Sequence, residues 1–525
     1  MISTRISELL AHDVGQLVLH GQTVHIVPEN DDKAFDHVTT DSREVQESSI
    51  FVAIAGEHVD GHVFVADLPS STLAVVDRAI EGAQCAQIIV QNTIKALGEI
   101  ARLNISKRKA LAARGLNEFT IIGITGSVGK TTTKDMLHAV LSRLAPTVAP
   151  QGSFNNDIGL PLTALKVNEK TRFFVAEMGA SAVGEIEYLT TIAPPDISIV
   201  LKVGVAHLGG FGSVEAIRDA KSEIVRALSS SGVAVLNADD EYVRTMASMT
   251  KASSIIWFSR HSENEQPKPS VSGMVSSVIL RGTDTIADST NRPKFTVHLP
   301  DGTSFDLRLG MSGEHNVFNA LAVLSVIYSL DIPEHIAASV LSQLATVSAH
   351  RMHIVPVNID NKSFTLIDDS FNANPDSMHA GLTALSHYQA DVPNTRRIAV
   401  LGSMLELGSS EDEKHRAIGA YAAQISDVVI AVGSQSDGTL MHLASCIAQG
   451  AQEEIDQTQH TAEVMVVNSP QEAQARVSQL AHEGHNTEKG NNTENTVVLL
   501  KGSHASGLST LADIWLEHAC ADANK

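Results

Sequence analysis

Short apolar runs rich in β-branched residues alternate with longer helical stretches along most of the chain. The runs that predict strands are 73–76, 119–124, 173–176, 197–201, 233–236, 364–367, 398–401, 427–432 and 464–467. Strands that alternate with helices form βαβ units, in which parallel strands are covered by helices on both faces. The pattern therefore predicts an α/β fold with mostly parallel sheets.

The same pattern divides the chain into three predicted domains, since 525 residues exceed what one ordinary core holds. Residues 1–91 mix strands with turns and predict a small α/β domain. Residues 92–348 begin with a helical stretch at 92–114 and contain the densest group of motifs, and residues 349–525 restart the strand-helix alternation.

Two polar segments, 261–270 and 482–496, lack apolar periodicity and are predicted to be surface loops. Between them, residues 271–309 contain alternating strand-like runs with Asp301-Gly302 as a hairpin turn. We expect a small antiparallel sheet there, attached to the central domain.

Composition and charge exclude several classes of function. The formal net charge is −22, which argues against a surface that follows nucleic-acid phosphates or an acidic membrane. The three cysteines, Cys85, Cys446 and Cys520, are far apart and show no CxxC spacing, so neither disulfides nor a zinc site are expected. No signal peptide or membrane-length apolar run is present, so we expect a soluble cytoplasmic protein without membrane insertion.

The strongest motif is 119–134, FTIIGITGSVGKTTTK, where a strand leads into a glycine-rich turn and a helix. It matches G-x-x-x-x-G-K-[ST], in which backbone N–H groups surround phosphate oxygens. Lys130 would reach the terminal phosphates and the Thr131 hydroxyl would bind Mg²⁺. The motif predicts binding of ATP or GTP.

Two further residues follow predicted parallel strands and are candidate metal ligands. Glu177 ends the strand at 173–176, and His207 follows the strand at 197–201. Open α/β sheets bind ligands at the carboxyl ends of their strands. Taken singly, Glu177 would more often cap a helix and His207 would more often be a structural histidine. Because both are predicted to lie near the phosphate loop, we interpret them as metal ligands.

Several strings together resemble one known family, the Mur ligases. In the central region these strings are TGSVGKTTTK, SFNNDIGLPLT (153–163), AEMGA (176–180), VAHLGGFGS (205–213), AKSEI (220–224) and GEHNVFNAL (313–321). The flanks add TTDSR (39–43), AGEHVDGHVF (55–64), DDSFNANPDSM (368–378), LGSMLELG (401–408) and KGSHA (501–505). The resemblance implies a UDP-binding domain, a phosphate-loop ATPase domain and a Rossmann-like C-terminal domain.

Within the family, DDSFNANPDSM and GSMLELG are similar to ligases that add D-alanyl-D-alanine to UDP-N-acetylmuramoyl-tripeptide. The implied reaction uses ATP to form an acyl phosphate and then an amide bond, in peptidoglycan synthesis. Two alternatives stay open: another ligase of the superfamily, such as the tripeptide synthetase or a folylpolyglutamate synthetase, and a phosphate-loop nucleotide switch. A monomer is expected, and the third peptide residue, lysine or diaminopimelate, stays undetermined.

The resemblance also implies roles for individual residues. Those expected to contact ATP are Gly126, Ser127, Val128, Gly129, Lys130, Thr131, Thr132, Asn316, Asn319, Arg351 and Asp369. Thr131, Glu177, His207 and a carbamylated Lys221 would bind two Mg²⁺ ions, and catalysis is assigned to Lys130, Glu177, His207, Lys221 and Arg351. Substrate contacts are assigned to Asp41, Ser42, Arg43, Asn155, Asn156, Asn372, Asn374 and Asp376. The plainer interpretations are capping and turn roles, a surface pair of Arg351 with Asp369, and a solvated Lys221.

Overall fold

A computed structural model gives the structure of the chain. It describes residues 1–19, 21–56, 59–204, 208–265, 269, 275–345, 348–359, 362–390, 392, 394–458, 460–483 and 495–523, with side chains up to Glu517 in the last helix. Within these residues the strands form three large sheets and one two-stranded sheet. None of the helices in the described ranges is long and apolar enough to span a membrane.

The N-terminal part contains one six-stranded sheet. Its elements are β1 (Thr4–Arg5), α1 (Ile6–Ala11), β2 (Gln16–Leu19), β3 (Gln22–Val24), β4 (Ala34–Phe35), β5 (His37–Thr39), β6 (Ser49–Val52), β7 (Leu73–Val76), β8 (Ala86–Ile89) and α2 (Thr93–Ala113). The sheet order is β3-β2-β8-β7-β6-β5, and β5 to β8 run parallel to one another. The small β1-β4 ribbon lies outside it.

The long helix α2 fastens the N-terminal part to the centre of the molecule. Asn92 caps its first turn by accepting a hydrogen bond from the Lys95 backbone N–H at 2.9 Å. The Asn104 amide binds both the Ile2 N–H and carbonyls of the central region. The fully buried Arg108 donates to the carbonyls of 117, 118 and 171. One continuous apolar core therefore includes residues of both regions.

The central part contains one nine-stranded sheet with order β10-β11-β9-β12-β13-β14-β15-β16-β17. Its strands are β9 (Thr120–Thr125), β10 (Thr147–Val148), β11 (Phe173–Glu177), β12 (Ile197–Val200), β13 (Val233–Asn237), β14 (Ser254–Ser259), β15 (Ser276–Ala287), β16 (Pro293–His298) and β17 (Ser304–Arg308). Its helices are α3 (Lys130–Leu141), α4 (Gly159–Ala164), α5 (Glu185–Ile192), α6 (Leu208–Phe211), α7 (Val214–Arg226), α8 (Glu241–Thr245), α9 (Asn316–Ser329) and α10 (Glu334–Gln343).

The antiparallel strands expected over 271–309 are present as β15, β16 and β17, and they continue the central sheet instead of forming a sheet of their own. The 12-residue β15 pairs parallel with β14 along its first half and antiparallel with β16 along its second half. One strand thus joins the hairpin to the central sheet, because its length lets two partners share it. The Asp301-Gly302 turn is confirmed: Gly302 has φ +88° between β16 and β17.

The C-terminal part contains a six-stranded sheet with order β18-β19-β23-β20-β21-β22, parallel except for β18. Its elements are β18 (His353–Ile359), β19 (Lys362–Asp368), α11 (Pro375–His387), β20 (Arg396–Leu401), α12 (Glu411–Ile425), β21 (Val428–Val432), α13 (Gly438–Thr458), β22 (Glu463–Val467), α14 (Pro470–Glu483), β23 (Thr496–Lys501) and α15 (Leu508–Ala523).

The three large sheets confirm the predicted α/β class. Every run predicted to be a strand overlaps a strand of one of these sheets, with bounds that differ by at most a few residues. The domain boundaries at 91/92 and 348/349 stay predictions. Of the polar segments, 266–268, 270 and 484–494 lie outside the described residues, while the ends of 482–496 belong to α14 and β23.

Candidate active site

A cavity of about 720 Å³ lies between the central and C-terminal parts. The central part contributes the phosphate loop, β-strand ends and the start of α9. The C-terminal part contributes residues that precede β18, residues that follow β19 and the last residue of β23. The predicted site residues that line it are Ser127, Val128, Gly129, Lys130, Thr131, Thr132, Asn155, Glu177, Asn316, Asn319, Arg351, Asp369, Asn372, Asn374 and Asp376. The structure thus gathers 15 of the predicted residues around one space.

The phosphate loop connects β9 to α3. Gly126 and Gly129 have φ +156° and +84°, which glycine adopts without the penalty of a side chain. A Cβ at Gly129 would also lie 2.6 Å from Asn319 Oδ1, so the loop and α9 are in close contact. Lys130 Nζ donates to the Gly126 carbonyl at 2.7 Å, and desolvation lowers the pKa of Lys130 despite nearby Glu177.

Glu177 ends β11 and is completely buried behind the phosphate loop. Its Oε1 accepts hydrogen bonds from Thr131 Oγ1 at 3.1 Å and from Asn155 Nδ2 at 2.8 Å. Its Oε2 is buried and has no hydrogen-bond partner within the described residues. A buried carboxylate oxygen without a partner is costly unless a cation binds it, so the site fits a hard metal ion such as Mg²⁺.

Asn316 and Asn319 begin α9 and lie beside the phosphate loop. Asn319 accepts from Thr133 Oγ1 at 3.2 Å and donates to Asn316 Oδ1 at 2.9 Å, and Asn316 donates to the Ser312 carbonyl at 2.7 Å. This chain of hydrogen bonds fixes both amides at the cavity wall.

Arg351 and Asp369 reach the cavity from the C-terminal part. They do not form the surface ion pair that the sequence analysis gave as the alternative to a contact with ATP. The Arg351 guanidinium lies 4.4 Å from the ring centroid of Phe371. Asp369 instead accepts from the buried Lys501 Nζ at 2.5 Å and from the Met352 N–H at 3.2 Å.

The loop before α11 crosses from the C-terminal part towards the phosphate loop. Asn374 caps α11 by accepting from the Ser377 N–H at 2.9 Å. Asp376 forms a salt bridge with Lys202 of the central part at 3.0 Å. A Cβ at Gly204 would lie 2.6 Å from Asp376 Oδ2, so the two parts are in direct contact here.

Lys221 lies on α7 and does not line the cavity, yet it is not a solvated lysine. It is 3% exposed, and no hydrogen bond or salt bridge joins its Nζ to the rest of the described chain. Burial, with a smaller effect of Lys130, lowers the pKa of Lys221 to about 7. A large fraction of this amine is therefore neutral near pH 7.

The remaining predicted residues lie elsewhere. Gly126 belongs to the phosphate loop but does not line the cavity. Asn156 precedes α4, and its Oδ1 accepts a hydrogen bond from the Gly159 N–H at 2.9 Å. Asp41, Ser42 and Arg43 follow β5 in the N-terminal part. His207 lies outside the described residues.

The local contacts of 41–43 agree with a turn. Asp41 Oδ1 accepts from the backbone N–H of Arg43 at 2.9 Å, and the Arg43 guanidinium binds the same carboxylate. The Arg43 side chain hydrogen bonds lower the pKa of Asp41 to about 2. Arg43 is largely exposed and open to a further anion.

Sequence reasoning missed several residues that line the cavity. They include Lys202, Asn237, Asp239, Asp240, His261, His315, Phe318 and Lys501. Lys202 follows β12 and Lys501 ends β23. Both therefore lie at the carboxyl end of a parallel strand, which is the criterion that identified Glu177 as a candidate. Burial lowers the pKa of His315, which favours its neutral form.

Among the described lining residues, four are basic: Lys130, Lys202, Arg351 and Lys501. Lys202 and Lys501 are paired with Asp376 and Asp369, so Lys130 and Arg351 are the cations that remain for a polyphosphate in a chain of net charge −22. Together with the glycine loop and Glu177, the arrangement can hold a nucleoside triphosphate and its metal ion against a second domain.

Comparisons with known proteins agree with this site. Residues 124–327 match the family model "Mur ligase middle domain" and residues 350–504 match "Mur ligase, glutamate ligase domain". A relative from Mycobacterium tuberculosis (strain ATCC 25618 / H37Rv), UDP-N-acetylmuramoyl-tripeptide--D-alanyl-D-alanine ligase, is 36% identical over 531 residues, covering 96% of this chain and 97% of the relative.

Solved structures resemble the whole chain as well. The crystal structure of MurF from Acinetobacter baumannii has a TM-score of 0.78 and 29% identity, covering 98% of this chain and 99% of that one. The MurF ligase from Thermotoga maritima in complex with ADP has a TM-score of 0.70 and 23% identity, covering 93% and 98% of the two chains, and shows the shared fold.

Proposed function

We propose, on the premise that the chain belongs to the Mur ligase family, that it joins D-alanyl-D-alanine to UDP-N-acetylmuramoyl-tripeptide at the expense of ATP. The observation that carries the proposal is the cavity between the phosphate loop and the 369–377 segment. A ligase that activates one substrate and delivers another needs both sides of such a cavity. A nucleotide switch would need only the phosphate loop.

In the proposed reaction the terminal carboxylate of the tripeptide attacks the γ-phosphorus of ATP, which gives an acyl phosphate and ADP. The amine of D-alanyl-D-alanine then attacks the acyl carbon, and inorganic phosphate leaves. The first step brings two anions together, so charge neutralisation and positioning carry most of the rate enhancement. Lys130 and Arg351 supply positive charge at the nucleotide end of the cavity.

The unpartnered Oε2 of Glu177, with the hydroxyl of Thr131 beside it, would hold Mg²⁺ with the nucleotide. When bound, the ion supplies positive charge to the phosphate oxygens. Asn155 orients the Glu177 carboxylate by donating to its other oxygen. A second ion would be held by Lys221 as its carbamate and by His207.

Carbamylation of Lys221 requires a neutral amine, and the burial of Lys221 provides one. Because its pKa is lowered to about 7, the neutral fraction, and with it the carbamate, rises as the pH rises through 7. With ¹³C-labelled CO₂ we expect a carbamate carbon resonance that grows over this pH range and is absent from Lys221→Arg. Lys170→Arg, at an exposed lysine, is the control and should keep the signal. The same resonance in Lys221→Arg, or none in the parent, would contradict the assignment.

Asp376 and the asparagines beside it are proposed to receive the dipeptide. The Asp376 carboxylate is 34% exposed at the cavity and pairs with Lys202, so an incoming ammonium group can share it. Asp376→Asn should raise KM for D-alanyl-D-alanine about 10-fold or more, because a hydrogen bond to a charged group contributes about 1.5–3 kcal/mol. KM for ATP should stay within about 2-fold, as measured by initial rates of phosphate release.

Glu463→Gln, at an exposed carboxylate of the same domain, is the matched control and should leave both constants unchanged. If Asp376→Asn lowers the melting temperature but leaves KM for the dipeptide as it was, Asp376 serves only the contact with Lys202.

The proposed function as a whole is tested by phosphate release from ATP with UDP-N-acetylmuramoyl-tripeptide, with and without D-alanyl-D-alanine, while the product is followed by mass. Release that needs both substrates and yields the pentapeptide supports the proposal. Turnover with another amino acid would favour a different ligase of the superfamily, and turnover without either substrate would favour a switch.

Cytoplasmic location and a monomeric state stay predictions.

A further inference from the structure

Three side chains with metal-binding atoms converge between α12 and α13, away from the cavity. Asp412 lies in the first turn of α12, and His442 and Cys446 lie one turn apart on α13. One donor atom from each lies within 4.8 Å of the others. His442 Nε2 is 3.0 Å from Asp412 Oδ1 and 3.7 Å from Cys446 Sγ.

We propose that Asp412, His442 and Cys446 form a binding site for a zinc-type divalent cation, with water as the fourth ligand, that joins α12 to α13. The site is independent of the proposed ligase reaction, because none of the three residues lines the cavity. Its ligands come from two helices, which explains why cysteine spacing alone gave no indication of it.

The distances between the donor atoms fit tetrahedral coordination. Bonds of about 2.0 Å to nitrogen and oxygen and about 2.3 Å to sulfur place N and O about 3.3 Å apart, and N and S about 3.5 Å apart. The observed 3.0 and 3.7 Å lie within a few tenths of an ångström of these values. The donor atoms of Asp412 and Cys446 lie within 4.8 Å of each other, against about 3.5 Å in a tetrahedral site, so closing this pair onto the ion requires a movement of at most about 1.3 Å.

The kinds of donor select the metal. A thiolate, an imidazole and a carboxylate suit Zn²⁺ and its neighbours, whereas Mg²⁺ and Ca²⁺ prefer oxygen ligands alone. Asp412 also lies in the first turn of a helix, where the helix dipole stabilises its negative charge. The set would therefore present an anionic oxygen, an imidazole nitrogen and a thiol that loses its proton to the metal.

A nucleophilic cysteine is the main alternative, and the geometry disfavours it. In a catalytic triad of nucleophile, histidine and carboxylate, the carboxylate and the nucleophile contact opposite nitrogens of the imidazole ring. Here Asp412 and Cys446 both face Nε2 of His442, as two ligands beside a third would.

The backbone holds the three ligands in place. A Cβ at Gly419 of α12 would lie 1.9 Å from the Ile447 carbonyl oxygen, and one at Gly450 of α13 would lie 2.0 Å from that of Arg416. The two helices therefore touch backbone to backbone, which fixes their separation near the ligands. A site held by packed helices binds metal with little ordering cost.

The test uses the full chain, stripped of metal by a chelator and titrated with Co²⁺. We expect one cobalt ion per chain with a thiolate-to-cobalt charge-transfer band and the strong visible bands of a tetrahedral site, both removed by added Zn²⁺. The thiolate band separates this site from the oxygen-rich active site. Cys446→Ser should abolish the band, and His442→Ala should weaken cobalt binding at least about 10-fold.

His387→Ala, at an exposed histidine of the same domain, is the matched control and should bind cobalt as the parent does. If Cys446→Ser does not fold, His442→Ala carries the test, because His442 is 57% exposed and its loss leaves the core intact. The absence of a charge-transfer band in the parent, a parental band in Cys446→Ser, or parental cobalt affinity in His442→Ala overturns the proposal.

Discussion

Replacing Lys130 by alanine is expected to lower kcat/KM for ATP-dependent ligation at least about 10²-fold, while the melting temperature changes little. Lys130 begins α3 directly after the phosphate loop and lines the cavity. Its charge would stabilise the phosphate oxygens on which negative charge develops, and removal of one such group from an active site costs about 10²–10³-fold in rate. Within the described part of the chain its ammonium group donates to the Gly126 carbonyl alone, so the fold depends little on it.

Steady-state phosphate release and thermal unfolding, measured on the same preparations, provide the check. Lys166→Ala, at an exposed lysine of the central part, is the matched control and should retain parental kinetics. Ligation by Lys130→Ala at the parental rate would contradict a role of the phosphate loop in the reaction.

Replacing Glu177 by glutamine is expected to separate activity from stability. Ligation should fall at least about 10²-fold and require more Mg²⁺, because the neutral amide is a poor ligand for a hard cation. The melting temperature without Mg²⁺ should stay the same or rise, since the parent buries a carboxylate oxygen that has no partner among the described residues. The remaining oxygen can still accept from Thr131 and Asn155.

Melting curves with and without Mg²⁺, together with the rate as a function of Mg²⁺ concentration, decide the matter. Glu169→Gln, at an exposed glutamate of the central part, controls for the loss of one negative charge. A marked loss of stability without Mg²⁺ would show that Glu177 is structural, and an unchanged Mg²⁺ requirement would contradict its role as a ligand.

Much of the fold could be predicted because a buried parallel strand appears in the sequence as a short run of apolar residues. β7 has the predicted bounds, and the runs at 173–176 and 233–236 each gain one residue. The pairing of strands at the edge of a sheet has no such signal in the sequence. Nothing in the composition of 276–287 indicates that one strand has two partners of opposite direction, because that depends on where the neighbouring strands end.

The candidate site was predictable where a motif fixes the local geometry, as in the phosphate loop. Contacts between residues that are far apart in the sequence were not. The pairs Lys202–Asp376 and Lys501–Asp369 join residues separated by 174 and 132 positions, and neither pair has a local signature. Asp369 was accordingly assigned to ATP without its lysine partner. The burial of Lys221 also could not be predicted, because it depends on how α7 packs against its neighbours.

The attachment of helix α2 affects how the chain folds. A single apolar core, together with the hydrogen bonds of Asn104 and Arg108, joins the first sheet to the second. The C-terminal sheet has apolar clusters of its own and meets the central part through polar contacts such as Lys202–Asp376. The first two sheets therefore form one cooperative unfolding unit, and the third can fold or melt as a second unit. A ligand bound between them would link the stability of both units.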